Sequence, residues 1–420
     1  MAGMISIAAE RPGDSGQQEV IQLSDGTKLT FLGVTHGRHH TAPHYENLQT
    51  GNWIYTPGDA TVAWIEAEHD PKQWPSYELL VSDKENTGCV PTETRSSSHV
   101  KDGVDIQGFV LNAFPRWDKK MILRARLYHG PIAPGQFVVS NAEPGLLASW
   151  TPESLPATKS DGDFQVTLSN LVAGVPIPYR RGTQPPGKDA ANQCVRIAFG
   201  FQQNGQTATN WNPKLVKTSD AAGNVVRSVI SDYPEGGVYD YPRRGQTPDF
   251  HWDGHFYRPG LWPDASPWKL LMEFTRTSGF NDDETLTLTN LPVRVGTQKI
   301  VDEEWTMEPS ANFNFTLGKV NGVQLKVLAP LQFPDRLQNG KKIIRILIFA
   351  DSNPALPGMR LTLLDATDDQ GKAVWSPFPA AWANHFSLDL PYERETKTLN
   401  LKLALHKSRF VEFTVKPAKP

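Results

Sequence analysis

The sequence predicts an all-β protein built from three tandem immunoglobulin-like β-sandwich domains. Three observations predict it: a hairpin unit written three times, period-two alternation in the segments around each copy, and a composition that favours turns. The chain has 420 residues, with 39% hydrophobic and 21% charged residues, which is globular and too long for one ordinary domain. Its 33 glycines and 34 prolines punctuate short strands, and no segment sustains a helical i, i+3, i+4, i+7 apolar pattern over three turns.

The repeat starts at Thr61, Val195 and Ile344, with "TVAWIEAEHD", "VRIAFGFQQN" and "IRILIFADSN". Each copy holds an alternating strand, a polar loop with proline, a second strand, and an acidic residue three places before a glycine. Those pairs are Glu85 and Gly88, Asp220 and Gly223, and Asp368 and Gly371, followed by Val90, Val225 and Val374. Acid and glycine in that order favour a tight hairpin turn.

Taken in chain order, residues 1–19 form an N-terminal tail whose short apolar run lacks a basic leading region and is no clear signal peptide. The first domain is expected at 20–143, the second at 145–294 and the third at 296–420. Each opens on a turn and strand: "SDGTKLTFLGVTHG" at Ser24, "SDGDFQVTLSNLVAG" at Ser160 and "NGVQLKVLAP" at Asn321. Each closes on two strands, "MILRARLY" and "GQFVVSNA", "WKLLMEFTR" and "ETLTLTNLPV", "LNLKLALH" and "RFVEFTVKPA". In "MILRARLY", Met121, Leu123, Ala125 and Leu127 share one face, and in "LNLKLALH", Leu399, Leu401, Leu403 and Leu405 do so with Asn400 and Lys402 opposed. Such sheets must cover their apolar side, so each domain is expected to hide its own core between two sheets.

Several function classes are excluded. Formal net charge is -3 with basic residues scattered, so nucleic acid is not an expected partner. No stretch has the ~20 apolar residues of a membrane-spanning helix. The two cysteines, Cys89 and Cys194, are too far apart for a CxxC motif and read as free thiols. There is no G-x-S-x-G elbow, glycine-rich phosphate loop or H-E-x-x-H helix, so no catalytic residue is assigned. Acidic runs at Asp282 and Asp302 read as solvated turns, and Asp220, Asp368 and Asp369 lack EF-hand spacing.

Function is sought where the copies differ, because loops on a rigid scaffold carry binding residues. The interval from Gly223 to Pro263 exceeds its counterparts and contains a loop, 231–263, dense in aromatic and charged residues. Tyr239, Tyr241, Arg243, Arg244, Trp252, Tyr257 and Trp262 could stack on and hydrogen-bond a sugar or peptide. The same aromatics, Trp252, Phe256, Tyr257 and Trp262, could instead pack the loop onto the sandwich or plug a domain interface. His251, Asp253 and His255 alternate, and in an extended segment would leave one face as a divalent-metal site needs, although Gly254 and nearby prolines argue against a regular strand. His36 and His39, in "THGRHHTAPH", would add ligands if the two loops met.

In texture along the whole chain the sequence resembles exported bacterial proteins of tandem β-sandwiches, a resemblance that implies an extracytoplasmic home and no activity. The expected function is that of a non-enzymatic structural or interaction protein of the cell envelope or extracellular space, with a protein or glycan partner. The alternatives are a carbohydrate-binding protein or hydrolase using the aromatic loop, and a metal-dependent enzyme.

Overall fold

The computed structural model of the protein describes residues 20–45, 53–72, 77–83, 90–91, 93–101, 103–127, 130–141, 150–175, 194–227, 252–256, 261–262, 267–295, 315–328, 331–338, 341–350, 358–374, 380–382, 385–392 and 396–418. These residues are all-β: they form strands in six sheets and, besides strands, a single 3-10 turn at Asp282–Glu284. The N-terminal tail, Cys89 and the Glu85–Gly88 turn lie outside the described residues.

Sheet I holds β1 (Val20–Gln22), β2 (Lys28–Thr41), β3 (Trp53–Glu68), β6 (Glu93–Lys101) and β7 (Val104–Val110) in the order β1-β2-β3-β7-β6. Sheet II runs β5-β4-β8-β9, with β4 (Tyr77–Ser82), β5 (Val90–Pro91), β8 (Lys120–Leu127) and β9 (Phe137–Ser140). The two face each other: Phe31 of β2 stacks on Phe137 of β9 at 5.7 Å, and Tyr77 of β4 meets Phe109 of β7 at 5.7 Å. Met121, Leu123 and Ala125 are buried as the alternation of "MILRARLY" requires.

Sheet III joins β10 (Ala157–Asp161), β11 (Phe164–Val175), β12 (Cys194–Gln203) and β13 (Gln206–Thr207), with β16 (Trp252–Phe256) on the free edge of β12. Sheet IV runs β15-β14-β17-β28, with β14 (Trp211–Asp220), β15 (Val225–Arg227), β17 (Trp268–Arg276) and β28 (Arg409–Val415). Phe274 of β17 reaches across to Phe164 at 5.0 Å and Phe201 at 5.2 Å, aromatic contacts that close these two sheets.

Sheet V gathers β19 (Arg294–Val295), β20 (Phe315–Val320), β21 (Val323–Leu328), β22 (Leu331–Gln338), β23 (Lys341–Ala350), β25 (Ala380–Trp382) and β26 (His385–Tyr392). Sheet VI runs β18-β27-β24, with β18 (Thr285–Pro292), β24 (Met359–Asp368) and β27 (Thr398–Lys407). Leu325, Val327, Ile344 and Ile346 pack against Leu399, Leu401, Leu403 and Leu405.

Two expectations about domain closure are corrected. The "final strand" of the second segment, β18, pairs with β27, and the final strand of the third, β28, pairs with β17. The segments therefore exchange edge strands. The reason is the link between β27 and β28, which is Ser408 alone. A hairpin needs about two loop residues, so β28 cannot fold back on β27 and must enter another sheet. It is further fixed there by Glu153, whose Oε1 accepts the Thr414 N–H at 3.0 Å, and by Arg409 pairing Asp163 at 2.7 Å.

Nor does each segment hide its own core. One apolar cluster runs through sheets I to IV, from Ile21 and Leu123 to Phe164, Trp268 and Phe413. At this seam the hairpin turn after β14 docks on the chain after β7. Asn224, fully buried, accepts the Phe114 N–H at 3.1 Å and the Arg116 Nε–H at 3.0 Å through Oδ1, and donates to Asp220 Oδ2 at 2.8 Å. Burial raises the Asp220 carboxyl above its usual range and lowers Arg116 below its own.

The repeated turn has one chemistry. Asp220 Oδ1 accepts the N–H groups of Ala222 and Asn224, and Asp368 Oδ1 those of Gln370 and Lys372. Gly223 and Gly371 take positive φ of 86° and 72°, which a side chain would strain.

Candidate functional site: an aromatic ribbon on sheet I

β2 and β3 are long, 14 and 16 residues, and stay paired past a register shift between Gly37 and His39. Beyond it His39 faces Tyr55, His40 faces Ile54, and Thr41 faces Trp53. Period-two alternation then splits the ribbon. Trp53 and Tyr55 are 62% and 56% exposed, while Ile54, Thr56 and His40 are buried on the opposite side.

The buried side explains why the ribbon is held. Ile54 joins Leu32, Ala42, Val62, Trp64, Ile106 and Val110 in a second apolar cluster on the outer face of sheet I. It lies over Gly108, where an added Cβ would fall 2.4 Å from Ile54 Cδ1 and 2.9 Å from Trp64 Cζ3. Trp64 Nε1 donates to Thr35 Oγ1 at 2.9 Å, Thr35 Oγ1 meets His40 Nδ1 at 3.0 Å, and His40 Nε2 meets Thr56 Oγ1 at 3.4 Å. Burial holds His40 below the ordinary imidazole range, so it serves as a neutral strut. The Tyr45 hydroxyl donates to Glu66, and burial with that bond pushes the phenol up to about 12.

The open side carries Trp53, Tyr55 and His39, whose ring lies 5.0 Å from that of Tyr55, with the exposed ion pair of Arg38 and Asp59 at 3.5 Å nearby. Flat aromatic faces of this kind can bury area against another surface at low conformational cost.

The residues singled out from sequence distribute as follows. Tyr239, Tyr241, Arg243, Arg244, His251 and Tyr257 lie outside the described residues. Trp252, Asp253 and His255 lie on β16, a regular strand despite Gly254, with Trp252 opposite Phe199, Asp253 opposite Ala198 and His255 opposite Arg196. Trp262 is 2% exposed, meets Trp117 edge-on at 5.6 Å and receives the Trp268 indole N–H on its carbonyl at 3.4 Å. It plugs the seam between the first two segments and offers no face to a ligand. His36 Nδ1 lies 3.1 Å from Thr61 Oγ1, and His39 packs on Tyr55. Among the described residues no three His, Cys, Asp or Glu are grouped to hold a metal.

Sequence reasoning missed Trp53 and Tyr55. Their signal is the run Trp53-Ile54-Tyr55, which is apolar on both faces, so alternation alone does not tell which side is open.

No known family matches the chain, and no curated protein matches it. Among solved structures, the surface layer protein SbsC, domains 1-6, shares 9% identity over 86% of this chain and 53% of that one, at a TM-score of 0.11. The chain thus spans about half the length of that structure, and a likeness of this size carries no argument. No helix among the described residues is long and apolar enough to cross a membrane.

Proposed function

We propose that the chain is a non-enzymatic structural or interaction protein of the cell envelope or extracellular space. On this reading it is three tandem immunoglobulin-like sandwiches, 20–143, 145–294 and 296–420, with the exchanged strands crossing the last boundary. The observation that carries the reading is the pair of exposed aromatics, Trp53 and Tyr55, on a ribbon whose other side is buried. Large apolar side chains left open on a rigid strand pair favour binding over chemistry. The shared core of sheets I to IV and the strand exchange support a scaffold built to keep its shape.

The test is retention of the purified chain on envelope and extracellular fractions of its source cells, compared with a Trp53→Ser, Tyr55→Ser variant. The reading predicts retention of the wild type and at least tenfold weaker binding of the variant, since two central aromatics contribute about 1.5 kcal/mol or more. Protease or glycosidase treatment of the fraction separates a protein from a glycan partner. Equal retention of both chains contradicts the reading.

A further inference from the structure

The two strands that change sheets cross at one place. β17 ends at Arg276 and the chain passes through the Asp282–Glu284 turn to β18; β27 ends at Lys407 and passes through Ser408 to β28. His406, fully buried, ties the crossings together. Its Nε2 accepts the backbone N–H of Arg276 at 3.2 Å, which requires the neutral ring with its proton on Nδ1. That Nδ1 is buried and has no hydrogen-bond partner among the described residues.

The charged groups packed around the ring come from three elements. Arg276 is on β17, Glu284 on the 3-10 turn, and Arg360, the register partner of His406, on β24. Glu284 is engaged by Arg276, and Glu273 of β17 is gripped by Arg360 through two contacts of 2.7 and 2.9 Å. Phe280 closes the remaining side at 5.1 Å. Both carboxylates are thus already paired with an arginine.

We propose that His406 is an acid-sensitive clasp on the strand exchange, whose protonation loosens β28 from β17. A proton on Nε2 turns the acceptor of the Arg276 N–H into a second donor and adds a cation beside Arg276 and Arg360. Burial, with those guanidinium groups, holds the ring down at about 4. Because the folded value lies below the ordinary 6.5, the clasp is fully closed above about 6.5 and its contribution is lost as the pH falls from there towards about 4. In the first segment β9 follows β8 in its own sheet, so among the described residues that pair has no such crossing.

Amide hydrogen exchange on the intact chain, corrected for the intrinsic effect of pH, reads the clasp directly. Protection of the β17 and β28 amides is expected to fall by about tenfold per pH unit below about 6.5, the slope of one proton, while the β8–β9 pair keeps its protection. A His406→Gln variant, whose amide oxygen accepts the same N–H without titrating, is expected to lose the slope. Parallel loss in β9 and β28 would overturn the proposal, as would an unchanged slope in the variant. The contrast between β9 and β28 within the wild type decides the matter even if the variant does not fold.

Discussion

Arg360 of β24 holds Glu273 of β17, its Nη2 donating to Oε2 at 2.9 Å and its Nε lying in ion-pair range of Oε1 at 2.7 Å. The two strands belong to different sheets, so this pair bolts the second segment to the third. Glu273 is 2% exposed, and a carboxylate stranded there is costly. Arg360→Ala is predicted to lower unfolding stability by about 3 kcal/mol, while replacing both residues by methionine costs far less. Urea unfolding of the two variants checks the difference.

Asn224 does comparable work at the other seam, where three hydrogen bonds of its side chain join it to Phe114, Arg116 and Asp220. Asn224→Ala leaves a buried N–H and a half-buried guanidinium without their acceptor. The predicted loss is about 3 kcal/mol, measured by the same unfolding curves. Because the seam shares its core with both segments, the expected transition stays single.

The ribbon predicts an opposite result. Trp53 and Tyr55 point into solvent, so their replacement by serine should change stability by less than about 0.5 kcal/mol. Thermal unfolding of the variant used for binding checks this, and guarantees that lost binding is not lost folding.

Gly108 is predicted to be irreplaceable for a packing reason. The added methyl of Gly108→Ala meets Ile54 at 2.4 Å and the buried Trp64 ring at 2.9 Å, and overpacking of this kind costs about 1–3 kcal/mol. Shortening the neighbour with Ile54→Val in the same chain should recover part of that cost. A double-mutant cycle measures the coupling.

Much of this fold was legible in the sequence because alternation reports directly on burial. The "LNLKLALH" segment predicted the buried leucines of β27, and the acid-glycine pairs predicted the turns at Asp220 and Asp368. Alternation failed at the same strand's end, where Ala404 and His406 are fully buried on the face assigned to water. That face is covered by Arg276, Phe280 and Arg360, which are remote in sequence, so no local pattern announces it. The strand exchange left one local trace: a single residue, Ser408, between two strands, too short for a turn. The binding candidates fared differently. Trp262 has the composition of a ligand platform, yet its place in the core depends on Trp117 from another segment.

Cysteine pairs placed across the register give a direct test of the reciprocal strand exchange. In a chain with Cys89 and Cys194 replaced by serine, Lys269→Cys with Thr414→Cys joins β17 to β28, and Thr287→Cys with Lys402→Cys joins β18 to β27. With the strands exchanged, both pairs form a disulfide within a single monomeric chain, seen as a mobility shift without dimer. It is contradicted if neither forms while Lys269→Cys with Thr287→Cys does, since β18 would then lie beside β17 as a plain hairpin.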